Sequence, residues 1–165
     1  MNIGSNGPLI LLFTSIYLLL NSQNGLYYYI VGYVLSMLFN LILKGILKQP
    51  RPIYDQDLFK VALNYNKKHN FMIPYNLYGM PSGHAQSVFY STIFIYLMFK
   101  NSKITLFYLI ISLITLFQRV EGLWHTVFQV IIGSFVGLIF GYFIFYMYQQ
   151  KMMGSLKFKK DDFAF

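Results

Sequence analysis

Five apolar runs dominate this chain and leave few folds open to it: Ile3 to Leu20, Leu26 to about Leu47, Ala85 to Phe99, Ile104 to Phe117 and Thr126 to Tyr148. A membrane's hydrocarbon core is about 30 Å thick, and a helix needs about 20 apolar residues to cross it. Inside lipid a backbone must satisfy its own hydrogen bonds, so such runs read as helices. The composition agrees, with 56% of the residues hydrophobic and only 11% charged, outside the range of a water-soluble domain. The expected fold is an all-α integral membrane protein, a compact bundle of about five transmembrane helices. One membrane-embedded domain is expected over residues 1–150, followed by a polar tail, 151–165, surface-bound or loose. The first run lacks a basic leader and a small-residue cleavage site, so it reads as a retained helix. Runs three and four are short, and flanking Lys and Tyr or the adjoining motifs are expected to make up the length.

The chain has no cysteine, which excludes a disulfide framework and a thiolate metal site. Its five acidic residues, Asp55, Asp57, Glu121, Asp161 and Asp162, leave little material for a carboxylate-held divalent metal. Neither metal nor cofactor is expected. The net charge of +8, combined with these apolar runs, points to a membrane surface or an anionic lipid and away from nucleic acid.

The segment from Lys48 to Gly83 is polar, carries four of the five prolines, and is too long for an ordinary helix connection. Its interleaved aromatic residues, Tyr54, Phe59, Tyr65, Phe71, Tyr75 and Tyr78, suggest an ordered or interfacial cap. Five spans put this segment and the loop from Gln118 to Trp124 on one side of the membrane. Setting aside Lys44, Arg51 and Arg119 for a ligand, four Lys and Arg remain on that side against six on the other. That balance favours a cytoplasmic tail and a lumenal or extracellular loop.

Three polar clusters sit at membrane boundaries on that one side. In "KGILKQPRP", Lys44 and Arg51 are seven residues apart, close to two helical turns, so both cations are expected to share a face while Pro50 and Pro52 stop the helix. Pro81-Ser82-Gly83-His84 opens the third run. A helix start offers unpaired amides and a positive dipole end to an anion, Gly83 lets the backbone approach, and Ser82 can cap or donate. In "QRVEGLWHTVFQ", His125 and Gln129 are four apart, so the Gln129 amide oxygen could accept from Nδ1 of His125 and leave Nε2 free. Taken singly, each cluster also reads as snorkelling cations, a capped helix or an interfacial Trp-His pair. His69 reads as a solvated loop histidine, Glu121 as a solvated loop charge and Trp124 as an interfacial anchor. Gly133, Gly137 and Gly141 read as a close-packing stripe, within the chain or between copies of a homo-oligomer.

Together the clusters resemble the three-part signature of the type 2 phosphatidic acid phosphatase superfamily: Lys44, six residues, Arg51-Pro52; then Pro81-Ser82-Gly83-His84; then Arg119, five residues, His125. The resemblance spans Lys44 to Gln129, about half the chain. It departs at Gln118, where the superfamily usually has Ser, and at Gln129, where it usually has Asp. The wording "YGMPSGHAQ" and "RVEGLWHTVFQVIIG" is similar to the dolichyldiphosphatase branch, in which a Gln after the His-Thr is expected.

The resemblance implies a metal-independent lipid phosphatase that converts a polyprenyl diphosphate to the monophosphate. Lys44, Arg51 and Arg119 would bind phosphoryl oxygens with Ser82 and the Gly83 amide. His125 would attack phosphorus to form a phosphohistidine, His84 would protonate the departing oxygen, and Gln129 would orient His125. An endoplasmic reticulum membrane with a lumenal site would follow. Two alternatives are a broad-specificity lipid phosphate phosphatase of the phosphatidate type and a catalytically silent lipid-binding membrane protein, the latter because a neutral amide replaces a carboxylate beside the nucleophile.

Overall fold

The computed structural model describes residues 3–52 and 78–161, with four isolated positions (57, 60, 61 and 64) between them, and side chains up to residue 156. Most of the expected cap, including Tyr54, Phe59, Tyr65, Phe71 and Tyr75, lies outside the described residues, as does His69. Tyr78 is described and buried.

Five helices account for the described chain: α1 Ile3–Leu19, α2 Gln23–Leu47, α3 Gly83–Phe99, α4 Ser102–Glu121 and α5 Val127–Asp161. Each apolar run has become a helix; the fourth gains length from adjoining polar residues to reach 20, while the third gains only Gly83 and His84 and stays at 17. Three helices, α2, α4 and α5, are long and apolar enough to cross a membrane. Local chemistry sets their ends. Lys48 closes α2 in a left-handed conformation (φ 46°), its N–H bonded to the Lys44 carbonyl, and Pro50 and Pro52 prevent continuation. Asn101 caps α4 by accepting from the amides of Lys103 and Ile104.

The tail differs from expectation. Instead of loosening at Lys151, α5 continues to Asp161, because Lys, Met, Gln and Leu are good helix formers and only Gly154 interrupts them.

α3 is the hub and packs against every other helix. Surrounded by protein instead of lipid, it can carry polar residues if each finds a partner. Gln86 donates to the Ser36 carbonyl (2.7 Å) and accepts from Asn40 (2.7 Å). Ser91 pairs with the Tyr29 hydroxyl (2.7 Å) and Thr92 with Ser112 (3.0 Å). The outer helices show the reverse pattern, with Val34, Leu38, Ile42, Leu113, Phe117, Phe135 and Ile139 all exposed, as lipid-facing residues should be.

The Gly133, Gly137 and Gly141 stripe is used inside the chain. A Cβ at Gly133 would lie 2.5 Å from the Ser82 carbonyl oxygen, one at Gly137 would strike the Gln86 backbone, and one at Gly141 would lie 2.8 Å from the Tyr90 carbonyl. The stripe draws the α5 backbone against α3 and is covered there within the chain. It also holds the start of α5, with His125 and Gln129, beside the start of α3.

Candidate active site

Three chain segments meet at one end of the bundle. The last turns of α2 bring Lys44, which is 5% exposed. α2 ends at Leu47, so Arg51 does not share a helical face with Lys44, as its spacing alone suggests. It returns from the non-helical segment beyond, where its Nη1 donates to the Trp124 carbonyl at 3.3 Å, close enough to Lys44 for the two cations to repel.

The second segment approaches α3 through Gly79, whose N–H bonds the Gln49 carbonyl (2.8 Å), and Ser82, whose N–H bonds the Gln129 carbonyl (3.1 Å). Ser82 is the N-cap residue of α3, yet its side chain makes no capping bond. Its hydroxyl oxygen is buried without a partner among the described residues. A buried hydroxyl left this way costs free energy, and the usual remedy, bonding the second or third amide of the helix, is not taken. The first amides of α3, from Gly83 onward, have no intrahelical acceptor either.

The third segment is the end of α4 and the turn after it. Arg119 is 8% exposed, and its Nε is the second buried side-chain atom without a partner among the described residues. Leu123, at φ 54°, turns the chain so that the His125 N–H meets the Arg119 carbonyl (3.1 Å). Trp124 is about half exposed, in keeping with an interfacial anchor.

His125 is buried, with Nδ1 2.8 Å from the Gly79 carbonyl oxygen and 3.3 Å from Gln129 Oε1. Both neighbours are oxygen acceptors, so Nδ1 carries the proton and Nε2 holds the lone pair. Burial, and after it the charges of Arg51 and Lys44, push the His125 pKa down to about 3. The ring is therefore neutral at physiological pH.

Gln129 holds the segments together. Its amide is oriented without ambiguity, because Oε1 accepts the Thr126 N–H (3.2 Å) while Nε2 donates to the Pro50 carbonyl (2.8 Å). Nε2 also reaches Gln49 Oε1 at 3.2 Å. Gln129 thus braces the turn more than it aims His125, whose shorter contact is with Gly79. Sequence reasoning missed Gly79 and Gln49 as site residues. Gly79 carried a signal only as part of the Gly-Met wording, and Gln49 carried none.

His84 joins the group from the first turn of α3 and senses the charges of Arg119, Lys44 and Arg51. The sequence-derived set of Lys44, Arg51, Ser82, Gly83, His84, Arg119, His125 and Gln129 is therefore assembled in one place. Asp57 and Glu121 are exposed, and no group of His, Asp or Glu among the described residues could hold a metal ion. Three cations, two unpartnered buried donors, a helix start and a neutral imidazole suit a tetrahedral oxyanion.

Comparison with known proteins places these observations in a family. The PAP2 superfamily model matches residues 25–153. Over 127 residues the chain is 28% identical to Dolichyldiphosphatase 1 of Dictyostelium discoideum, covering 70% of this chain and 48% of that protein. It is also 28% identical over 131 residues to the Dolichyldiphosphatase of Saccharomyces cerevisiae, with the same coverage. The chain spans about half the length of these curated relatives. No solved structure gives a significant match.

Proposed function

This chain belongs to the PAP2 superfamily, and on that premise we propose that it hydrolyses a polyprenyl diphosphate of the dolichyl type to the monophosphate and phosphate through a phosphohistidine on His125. The observation that carries this reading is the pair of buried donors, Ser82 Oγ and Arg119 Nε, which have no partner among the described residues. A phosphoryl group supplies the missing acceptors and the missing negative charge in one ligand.

Lys44, Arg51 and Arg119 hold the nonbridging oxygens of the terminal phosphoryl group, with Ser82 Oγ and the Gly83 amide as further donors. The lone pair on Nε2 of His125 attacks phosphorus, forming a P–N bond as the P–O bond to the leaving group breaks. The departing oxygen takes the bonding pair and a proton from His84, which leaves that ring neutral. Water then attacks the phosphohistidine, giving up a proton to His84. Phosphate leaves and His125 recovers its lone pair. The Gly79 carbonyl accepts the Nδ1 proton throughout. This supports turnover over the silent-scaffold alternative, because the nucleophile keeps an acceptor although Gln129 stands where a carboxylate is usual.

The names of the two relatives support the prenyl diphosphate, and three apolar helices beside the site suit a long lipid tail. An endoplasmic reticulum membrane with the site on the lumenal face belongs to the same reading and rests on the balance of Lys and Arg between the two sides. The test is phosphate release from dolichyl diphosphate in detergent with excess chelator, comparing the native chain with His125→Ala. Release by the native chain alone is expected. Equal release by His125→Ala, or loss of native activity on chelation, overturns the proposal.

A further inference from the structure

The buried face of α2 turns polar toward the site. Ser36, Asn40 and Lys44 follow one another at four-residue spacing, so they stack along a single face, and all three are buried. Asn40 Nδ2 donates to Gln86 Oε1 at 2.7 Å and reaches the Pro81 carbonyl at 3.4 Å. Gln86 Nε2 donates in turn to the carbonyl and the hydroxyl of Ser36, at 2.7 and 2.8 Å. A main-chain carbonyl only accepts, which fixes Gln86 with its oxygen toward Asn40 and Asn40 with its nitrogen toward Gln86. The Asn40 side-chain oxygen lies beside Gly83, where an added Cβ would come within 3.3 Å of it.

This clasp joins two parts of the site that lie far apart in the chain. On the α3 side three successive main-chain groups are held: the Pro81 carbonyl by Asn40, the Ser82 N–H by the Gln129 carbonyl (3.1 Å) and the Ser82 carbonyl by the Gln86 N–H (3.0 Å). Two of the three bonds come from Asn40 and Gln86. On the α2 side, Lys44 stands one helical turn beyond Asn40.

We propose that Asn40, anchored by Gln86, is a positioning residue for the phosphoryl group's binding site, setting Lys44 of α2 at a fixed distance from Ser82 and Gly83 at the start of α3. The inference rests on the phosphatase reading above. Apolar packing is non-directional, so it holds α2 against α3 without fixing how far one helix slides or turns along the other. Hydrogen bonds are directional, and a buried polar network ties two helices in one register. Lys44 and Arg51, gathered for an anion, repel each other before it binds, and a clasp one turn from Lys44 opposes the spreading of α2.

The test is a double-mutant cycle read by the binding of inorganic phosphate. Titration calorimetry in detergent compares the native chain, Asn40→Ala, Lys44→Ala and the double variant, with Ser36→Ala as a control. Asn40→Ala and Lys44→Ala should each weaken phosphate roughly tenfold, the effect of losing a hydrogen bond from a charged group. The double variant should bind within about threefold of Lys44→Ala, because no cation remains to be placed. Ser36→Ala should keep native affinity, since Gln86 retains the Ser36 carbonyl. Native affinity in Asn40→Ala, losses that add in full in the double variant, or equal weakening in Ser36→Ala overturns the proposal. If Asn40→Ala fails to fold, Gln86→Met, similar in length and unable to accept from Asn40, carries the same expectations. Turnover of dolichyl diphosphate is measured alongside, and kcat/KM of Asn40→Ala should fall roughly tenfold as well. A native chain that binds phosphate without turnover sinks the phosphatase reading and leaves the binding cycle to decide the positioning one; a native chain that does not bind phosphate overturns both.

Discussion

The Nδ1 atom of His125 lies 2.8 Å from the carbonyl oxygen of Gly79, nearer than the 3.3 Å to the side-chain oxygen of Gln129. A main-chain carbonyl does for the tautomer what a side-chain carboxylate does in a hydrolase triad, holding the proton on one nitrogen so that the other keeps its lone pair. It supplies less charge to a cationic ring. It is also part of a well-held turn, because the Gly79 N–H is bonded to Gln49 at 2.8 Å.

Gly79→Ala should disable the site while leaving the bundle folded. The added Cβ would lie 2.6 Å from Gln129 Oε1 and 2.7 Å from Nε2, forcing apart the groups that surround Nδ1. A loss of about a hundredfold in kcat is expected for an ångström-scale displacement of a nucleophile, with circular dichroism unchanged. Native kcat would show that the carbonyl contact does not matter.

Gln129→Glu, which puts a carboxylate where the superfamily usually has one, should lower activity instead of improving it. The present amide nitrogen donates to the Pro50 carbonyl and to Gln49 Oε1, and a carboxylate would face oxygen with oxygen there. The loss of these two part-buried hydrogen bonds costs about 0.5–1.5 kcal/mol each. The melting temperature in detergent and kcat should fall together; a rise in kcat would contradict the bracing role.

Ser82→Ala should separate stability from function. The hydroxyl neither caps α3 nor has a partner among the described residues, so the apo protein should melt at the same temperature or higher. With substrate the same change removes a donor to the phosphoryl group, and kcat/KM should fall at least tenfold. A lower apo melting temperature would mean that Ser82 serves the fold.

The depressed pKa of His125 gives stability a direction with pH. Its value is about 3 in the folded chain, against an ordinary 6.5. Between those values the unfolded chain binds a proton that the folded chain excludes, so stability falls as pH drops from about 6.5 toward 3 and this contribution is complete above 6.5. Thermal melts of the native chain should therefore decline on acidification more steeply than those of His125→Asn. Inorganic phosphate should lessen the decline by offsetting Lys44 and Arg51. Identical acid limbs in the two proteins would show that His125 is not the group responsible.

The helices and the charged members of the site were legible because hydrophobicity and charge belong to side chains. Lys44, Arg51, His84, Arg119 and His125 stand at the ends of apolar runs, where the cost of burial makes a cation or imidazole conspicuous. The acceptor of the His125 proton was not legible. The carbonyl of Gly79 belongs to the main chain, which every residue has, and only the fold brings it to an imidazole. The centrality of α3 was hidden too: its Gln86, Ser91 and Thr92 make the run look like a poor membrane span, and it is polar because other helices enclose it. The tail misled in the opposite way, since "KMMGSLKFKKD" is polar enough to read as loose and still has the propensity to extend α5.

Gly137→Ala tests the packing that joins these parts. A helix interior ordinarily gains about 1 kcal/mol when Gly becomes Ala. Here the new Cβ would meet the Gln86 carbonyl oxygen, carbon and Cα, backbone atoms that cannot swing aside as a flexible side chain can. Overpacking of this kind costs about 1–3 kcal/mol, so a net fall in melting temperature is expected. Because Gly133 presses on Ser82 in the same row, the shift of α5 should reach the site and lower kcat as well. The oligomeric state, measured by light scattering in detergent, should not change, since the stripe is already covered by α3. A stable variant with an altered oligomeric state would show that the stripe faces a second copy instead.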